Sequence, residues 1–157
     1  MRLVKAAVGS AFAVLAVAGC SAASASSSTT PSIAIPTAYI NTPSDGVTYG
    51  YLDIRDNGAA DKLVSVTMSV GGKVTFVGPT RTGTDPLAMH TVSSIPVAAD
   101  AMTQLVPNNY HLLITDPGHM TAGHDITMTL TFARSGKITI LALVTDPETG
   151  GSSYFLN

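Results

Sequence analysis

A strict alternation of apolar and threonine side chains near the C-terminal end constrains this chain more than any other feature. Residues 126–132 read Ile-Thr-Met-Thr-Leu-Thr-Phe. Because successive side chains of a β-strand point to opposite faces of the sheet, this segment predicts a strand with one buried face. A turn signal at residues 134–137 follows, and residues 137–145, rich in Ile, Leu and Val, predict the partner strand.

Six earlier runs have a similar composition and are separated by Gly, Pro, Asn or Asp turn signals. They predict further strands at residues 47–55, 62–70, 73–77, 89–97, 102–106 and 110–115. No window carries the apolar stripe of a helix about a dozen residues long. Many short strands at regular spacing predict an all-β fold, an antiparallel β-sandwich of Greek-key type.

The first twenty residues have the features of an export signal. Arg2 and Lys5 precede an uncharged apolar segment, residues 6–17, which is shorter than the roughly 20 residues of a membrane span. The segment ends Leu-Ala-Val-Ala-Gly-Cys, which resembles a bacterial lipobox. That resemblance implies cleavage before Cys20 and lipid on its thiol. The alternative is an ordinary signal peptide whose Cys lies there by chance.

These segments predict a division of the chain into three parts. Residues 1–19 are the lipoprotein signal peptide, and residues 20–32 are the lipidated Cys20 with a tether made almost entirely of Ser, Ala and Thr. Residues 33–157 form the β-sandwich domain. The protein is therefore expected outside the cytoplasm, anchored by lipid to the bacterial cell membrane.

Composition excludes several function classes. The net charge of −2 gives no basic surface for nucleic acid, and a single Cys excludes an intrachain disulfide and a Cys-based zinc site. The sequence has no Gly-x-Ser-x-Gly nucleophile motif and no Gly-rich phosphate loop, and its carboxylates lie mostly in turns. A non-catalytic protein is therefore expected.

Histidine and methionine form the one combination that points to specific chemistry. All four His lie in the second half of the chain, and Met89 and Met120 each adjoin one of them. Thioether and imidazole ligands together suit Cu(I) better than hard cations. The alternative interpretation is that the Met side chains, among them Met102, Met120 and Met128, fill the core and that the His side chains are solvated.

Several segments together carry a family resemblance. The run at residues 56–64 is close to Asn-x-Gly-x-x-Asp-x-Leu, residues 107–112 to Pro-Gly-Gly-x-His-Leu, and residues 123–132 to Gly-Asp-x-x-x-Leu-x-Leu-x-Phe. With these segments, residues 38–144 resemble the periplasmic copper chaperones of the PCu(A)C type. The resemblance implies a cupredoxin-like β-sandwich that carries Cu(I) outside the cytoplasm.

The copper motif of that family, His-x10-Met-x21-His-x-Met, matches this chain in part. Met89 and His111 are separated by 21 residues and carry over as candidate ligands. Gly78 stands where the family has its first His, and Leu113 stands where it has its last Met.

Two other histidines are candidate helpers in such a site. His90 adjoins Met89, although neighbouring strand residues face opposite sides, and His119 lies in the loop after His111. The resemblance thus implies a copper-binding lipoprotein that holds Cu(I) and transfers it to a copper-accepting membrane or secreted protein. The alternative is a metal-free structural or interaction lipoprotein on the same scaffold, its copper site having been lost.

Overall fold

The computed structural model describes residues 29–79 and 88–149, so the predicted signal peptide, Cys20 and most of the tether lie outside the described residues. Within these ranges the fold is all-β, as predicted, and no helix there has the length and hydrophobicity of a membrane span. The elements are β1 (Ile33–Asn41), β2 (Val47–Asp56), β3 (Asp61–Met68), β4 (Lys73–Pro79), β5 (Met89–Val92), β6 (Ile95–Val97), β7 (Ala101–Leu105), β8 (His111–Thr115), β9 (Asp125–Phe132), β10 (Gly136–Thr145) and a 3-10 turn (Pro147–Thr149).

The strands pair in the order β5-β4-β8-β2-β1-β10-β9-β3-β6, and β7 pairs with the part of β2 that β8 does not reach. β3 approaches β4 and β6 approaches β7, so the path folds into a nearly closed sandwich. All pairs are antiparallel except β1 with β10, which run parallel. No sequence pattern predicted this parallel pair, which joins the first strand to the last.

Two regions of the chain differ from the sequence-based prediction. β1 was not predicted, because Pro36 interrupts its pattern; a register shift between Ala34 and Thr37 accommodates the proline beside β2. The single run predicted at residues 89–97 is two strands. β5 pairs with β4 and β6 pairs with β3, so this run forms both outer edges of the sheet path.

The predicted alternation of β9 is confirmed. Its four apolar side chains are buried, whereas the threonines between them lie on the outer face. Met120 and Met128 also belong to the core, while Met102 is exposed. The largest fully buried side chains are Ile40, Leu52, Ile54, Leu63, Ile95, Leu105, Leu112, Ile114, Met128, Leu130, Val97 and Val144.

The sandwich has two ends that differ in their connections. The entry end contains the start of β1, the end of β2, the β2–β3 and β6–β7 turns and the β9–β10 turn. The distal end contains the β1–β2 and β3–β4 turns, the β8–β9 loop and the residues after β10. The long strands β1, β2, β3, β9 and β10 run between these two ends.

Two buried carboxylates fix the entry end. Asp61 accepts hydrogen bonds from the backbone of Lys62, Arg134 and Ser135 and from the Ser135 hydroxyl, at 2.7 to 2.9 Å. Burial alone raises the pKa of Asp61, but these four bonds outweigh it and lower the pKa below the usual value. Asp56 accepts from the backbone of Ser32 and Gly58 at 2.8 and 2.9 Å. The β9–β10 turn and the start of β1 are thereby tied to the sheet.

Candidate metal site

His111 begins β8 and faces outward. Its partner across the sheet is Val77 in β4, and Leu113 follows two positions later on the same face, opposite Tyr49 of β2. His111 and Leu113 are both half-buried. Leu113 has a volume similar to that of a methionine but carries only methyl groups, so it contributes no ligand atom to this face.

The hydrogen bonding of His111 fixes which ring nitrogen is available. Its Nδ1 lies 2.9 Å from the carbonyl oxygen of Asn109, and a carbonyl only accepts, so Nδ1 carries the proton and donates. In the neutral ring Nε2 then holds the free lone pair. A backbone carbonyl on one ring nitrogen is the usual support for a His that binds metal through the other.

The turn before β8 places that carbonyl. The backbone N–H of Val106 donates to the carbonyl of Tyr110 at 2.8 Å, and that of Asn109 donates to the carbonyl of Val106 at 3.2 Å. Asn108 has a φ of 62°, a left-handed conformation that Asn tolerates better than most residues. This tight turn returns the chain into β8 with the Asn109 carbonyl beside the His111 ring.

Two tyrosines of β2 flank the His111 ring. Tyr49 meets it edge-on with ring centroids 5.7 Å apart, and Tyr51 lies at 6.3 Å. Tyr39 of β1 packs against Tyr51 at 5.2 Å. Burial, and then the neighbouring Tyr39 and Tyr49, raises the pKa of Tyr51, and burial followed by Asp53 raises that of Tyr39. These two phenols therefore stay protonated at neutral pH.

These aromatic rings were not among the site residues predicted from the sequence. Tyr49 and Tyr51 stand two positions apart in a predicted strand, so their spacing already placed them on one face. Nothing in the sequence indicated that β8 would bring His111 to the same face.

Met89 shares the outward face with His111. It begins β5 and pairs with Pro79, while His111 pairs with Val77 two residues earlier in β4. Strand geometry puts their backbones about 10 Å apart across β4 and about 7 Å apart along it. Both side chains are half-buried. The unbranched thioether of Met89 is flexible and projects from the edge strand on the face that carries His111.

Gly78 belongs to the opposite, inward face. A Cβ atom at this position would overlap the ring of Tyr110, which covers the glycine. Gly78 is buried, and so is Phe76, two positions earlier on β4. A histidine at position 78 would therefore point into the domain, away from the face that carries His111 and Met89.

The two candidate helpers lie elsewhere. His90 pairs with Gly78, so strand alternation places its exposed side chain on the face opposite to Met89. His119 is exposed in the β8–β9 loop at the distal end, with Nε2 3.0 Å from the Thr121 hydroxyl. The structure thus places Met89 and His111 on one face, with β4 between their strands, and leaves both helpers off that face. Within the described ranges no three His, Cys, Asp or Glu side chains are arranged to hold a metal.

A family model described as "Putative lipoprotein LpqE-like" matches residues 29–144, most of the chain. The chain belongs to the LpqE-like family. No curated protein matches its sequence.

Solved structures show the same fold as this LpqE-like chain. The apo PCuAC domain from PmoF1 superposes with a TM-score of 0.62 at 23% identity, over 73% of this chain and 94% of that one. The copper-bound PCuAC domain from PmoF2 gives 0.60 at 22%, over 73% and 93%. The solution structure of CuI-DR1885 from Deinococcus radiodurans gives 0.59 at 18%, over 70% and 76%. At these identities the likeness concerns the fold, and it confirms the predicted PCuAC-type sandwich.

Proposed function

We propose that this LpqE-like chain is an extracytoplasmic lipoprotein that binds Cu(I) through Met89 and His111 and passes it to an acceptor protein. The observation that carries the proposal is the orientation of His111. Its Nδ1 is occupied by the Asn109 carbonyl, so Nε2 is the available donor, on the same outward face as Met89.

The chemistry of the two side chains fits Cu(I). A thioether and a neutral imidazole are soft or borderline donors without charge, and Cu(I) accepts few ligands. The protonated phenols of Tyr39 and Tyr51 add aromatic surface and no anionic oxygen that would favour a harder cation. Two ligands at the outer face leave the metal open to ligands from an acceptor, so transfer proceeds by ligand exchange. Acid weakens the site, because a protonated imidazole cannot bind metal.

Structural relatives support copper as the cargo. The PmoF2 PCuAC domain has been solved with copper bound, and DR1885 has been solved in its CuI form. Transfer requires no bond-making in the protein itself, so we assign no catalytic residue.

The anchor is a separate part of the proposal. Cys20 ends a lipobox-like segment, and the family description contains the word lipoprotein. We expect a Cys20→Ser variant expressed in a bacterial host to move from the membrane fraction to the soluble extracytoplasmic fraction. Equal membrane retention of the variant would contradict lipidation at Cys20.

A Cu(I) titration against a chromophoric chelator tests the metal site. The mature chain, residues 20–157, should bind one equivalent, and His111→Ala or Met89→Leu should each weaken binding at least tenfold, about 1.4 kcal/mol. His124→Ala and Met102→Leu are matched controls, because both residues are exposed and lie outside the outward Met89–His111 group. If the controls weaken binding as much as the site variants, the assignment is wrong.

A metal-free scaffold is the second candidate, and the Gly78–Tyr110 contact favours it. One position of the family's copper motif faces inward under an aromatic ring, and a second, Leu113, has no ligand atom. On this alternative the wild-type chain does not compete with the chelator, and the site variants match wild type. The same titration therefore decides between the two functions.

A further inference from the structure

The charged side chains of the domain are divided between its two ends. Residues 29–79 and 88–149 contain five basic side chains. Four of them, Arg55, Lys62, Arg134 and Lys137, lie at the entry end, at the end of β2, the start of β3 and the β9–β10 turn. The fifth, Lys73, lies at the distal end, where β4 begins opposite the last residue of β8.

The acidic side chains have the reverse distribution. Five of the nine in the same ranges lie at the distal end: Asp45, Asp116, Asp125, Asp146 and Glu148. Of the three at the entry end, Asp56 and Asp61 are buried and accept internal hydrogen bonds, which leaves Asp100 as the exposed one. The remaining residue, Asp53, lies between the ends on β2. Among the described residues the surface of the entry end is therefore basic, which corrects the expectation, drawn from the net charge alone, that no basic face stands out.

The chain enters the domain at the basic end. The Arg134 guanidinium donates to the carbonyl oxygens of Thr29 and Ala60 at 2.6 and 2.8 Å, and Ser32 is held by Asp56. Thr29 is nine residues beyond Cys20, and nine residues span at most about 30 Å. A lipid on Cys20 would thus keep this end near the membrane surface, whatever path the tether takes.

We propose that the entry end docks on the anionic headgroups of the membrane that holds the anchor, through Lys62, Lys137, Arg55 and Arg134. This inference rests on the lipid anchor of the proposed function but not on copper binding. Lipid chains and a basic patch are the two signals that together give stable membrane attachment. Each basic side chain at an anionic surface raises partitioning about fivefold.

The surface around Lys62 and Arg134 suits this role. The two residues border a cavity of about 260 Å³ that is also lined by Ala60, Asp61 and Ala133. The Asp61 carboxylate is buried and its oxygens already accept four hydrogen bonds from the protein, so it does not face the headgroups directly. A ten-residue strand such as β10 spans about 33 Å, far beyond the roughly 8 Å screening length at physiological salt. The acidic distal end therefore does not oppose docking.

Partitioning of an anchored chain tests the proposal. Cys20 is the sole cysteine, so residues 20–157 can be alkylated there with N-hexadecylmaleimide, which supplies one weak anchor. Sedimentation then gives the partition coefficients for vesicles of phosphatidylcholine alone and of phosphatidylcholine with phosphatidylglycerol. We expect the ratio of anionic to neutral partitioning to be about 600-fold at low salt, from four side chains at about fivefold each, and to fall as salt is added.

Matched variants locate the docking surface. Lys62→Gln with Lys137→Gln should lower the ratio about 25-fold, whereas Lys73→Gln at the distal end should change it less than about twofold. A ratio near one for wild type, or an equal loss in Lys73→Gln, would overturn the proposal. Cu(I) affinity of the double variant should match wild type. Failure of vesicle docking is thereby distinguishable from failure of the copper site.

Discussion

Adjacent residues of β4 and β8 lie on opposite faces of the sheet, and the two faces have different surroundings. On the outward face Val77 lies opposite His111, beside Leu113 and the tyrosines of β2. On the inward face the Tyr110 ring covers Gly78 and leaves no space for a Cβ atom. Strand parity thus decides whether a residue of this pair faces outward with His111 or inward towards the core.

The largest expected effect comes from placing a histidine at Gly78 or, in a separate variant, at Val77. Gly78→His should cost about 3 kcal/mol or more of unfolding free energy, because the new side chain displaces Tyr110 from the core. Val77→His places the same side chain on the outward face and should cost about 1 kcal/mol. Urea unfolding measures both. Equal stability of the two variants would contradict the assigned faces.

Adding ligands to the outward face should produce the next largest effect. Val77→His with Leu113→Met gives the His111–Met89 pair an imidazole and a thioether on the same face. We expect Cu(I) affinity to rise about 100-fold, about 2.7 kcal/mol, in the chelator competition.

Leu112→Met is the matched control for that design. It adds a thioether to β8 on the inward face, where Leu112 is fully buried opposite Phe76. Its affinity for Cu(I) should equal that of wild type. If Leu112→Met raised the Cu(I) affinity as much as the outward variant, the proposal that the outward face holds the metal would be wrong.

Smaller effects on stability and on Cu(I) affinity are expected from substitutions in the turn before β8. Asn108→Ala should cost about 1 kcal/mol, because Ala has no side-chain compensation for the left-handed backbone. It should also weaken Cu(I) binding several-fold, since the Asn109 carbonyl no longer holds the His111 ring. Asn108→Gly keeps the conformation and both properties. Identical behaviour of the Ala and Gly variants would argue against this role of the turn.

The smallest expected effect concerns the aromatic neighbour of His111. Tyr49→Leu removes the edge-on ring contact and should weaken Cu(I) binding about twofold, equivalent to roughly 0.5 kcal/mol. Tyr49→Phe retains the ring and should match wild type in the same titration. A larger loss in Tyr49→Phe would assign the role to the phenolic oxygen instead of the ring.

The sequence carried enough information for the fold class and for choosing two candidate ligands that lie on one face. The Thr alternation of β9 identified its buried face, and the 21-residue spacing selected Met89 and His111, which do share a face. The face of Gly78 was not predictable, because β4 carries apolar residues on both sides: Val74 and Phe76 inward, Val77 outward. Only the first four residues of β4 alternate between polar and apolar, and Val77 ends the alternation just before Gly78, so periodicity leaves the parity there open.

The contacts that orient His111 could not be predicted from the sequence, for another reason. The Asn109 carbonyl belongs to the backbone, and every residue has a carbonyl, so no residue type signals this hydrogen bond. The parallel pairing of β1 with β10 was equally hidden. It depends on the path of the whole chain and has no local pattern.

That parallel pair also determines when the domain can finish folding. Ile40 pairs with Val144, 104 positions later, so the first strand keeps one unpaired edge until almost the entire domain has been synthesised. Contacts between distant parts of a chain form slowly, because the intervening loop must close first. Under the export that we propose, a chain emerging N-terminus first from a membrane pore would remain incompletely folded until β10 has emerged. The sandwich would close only on the far side, a delay that favours passage in an extended state.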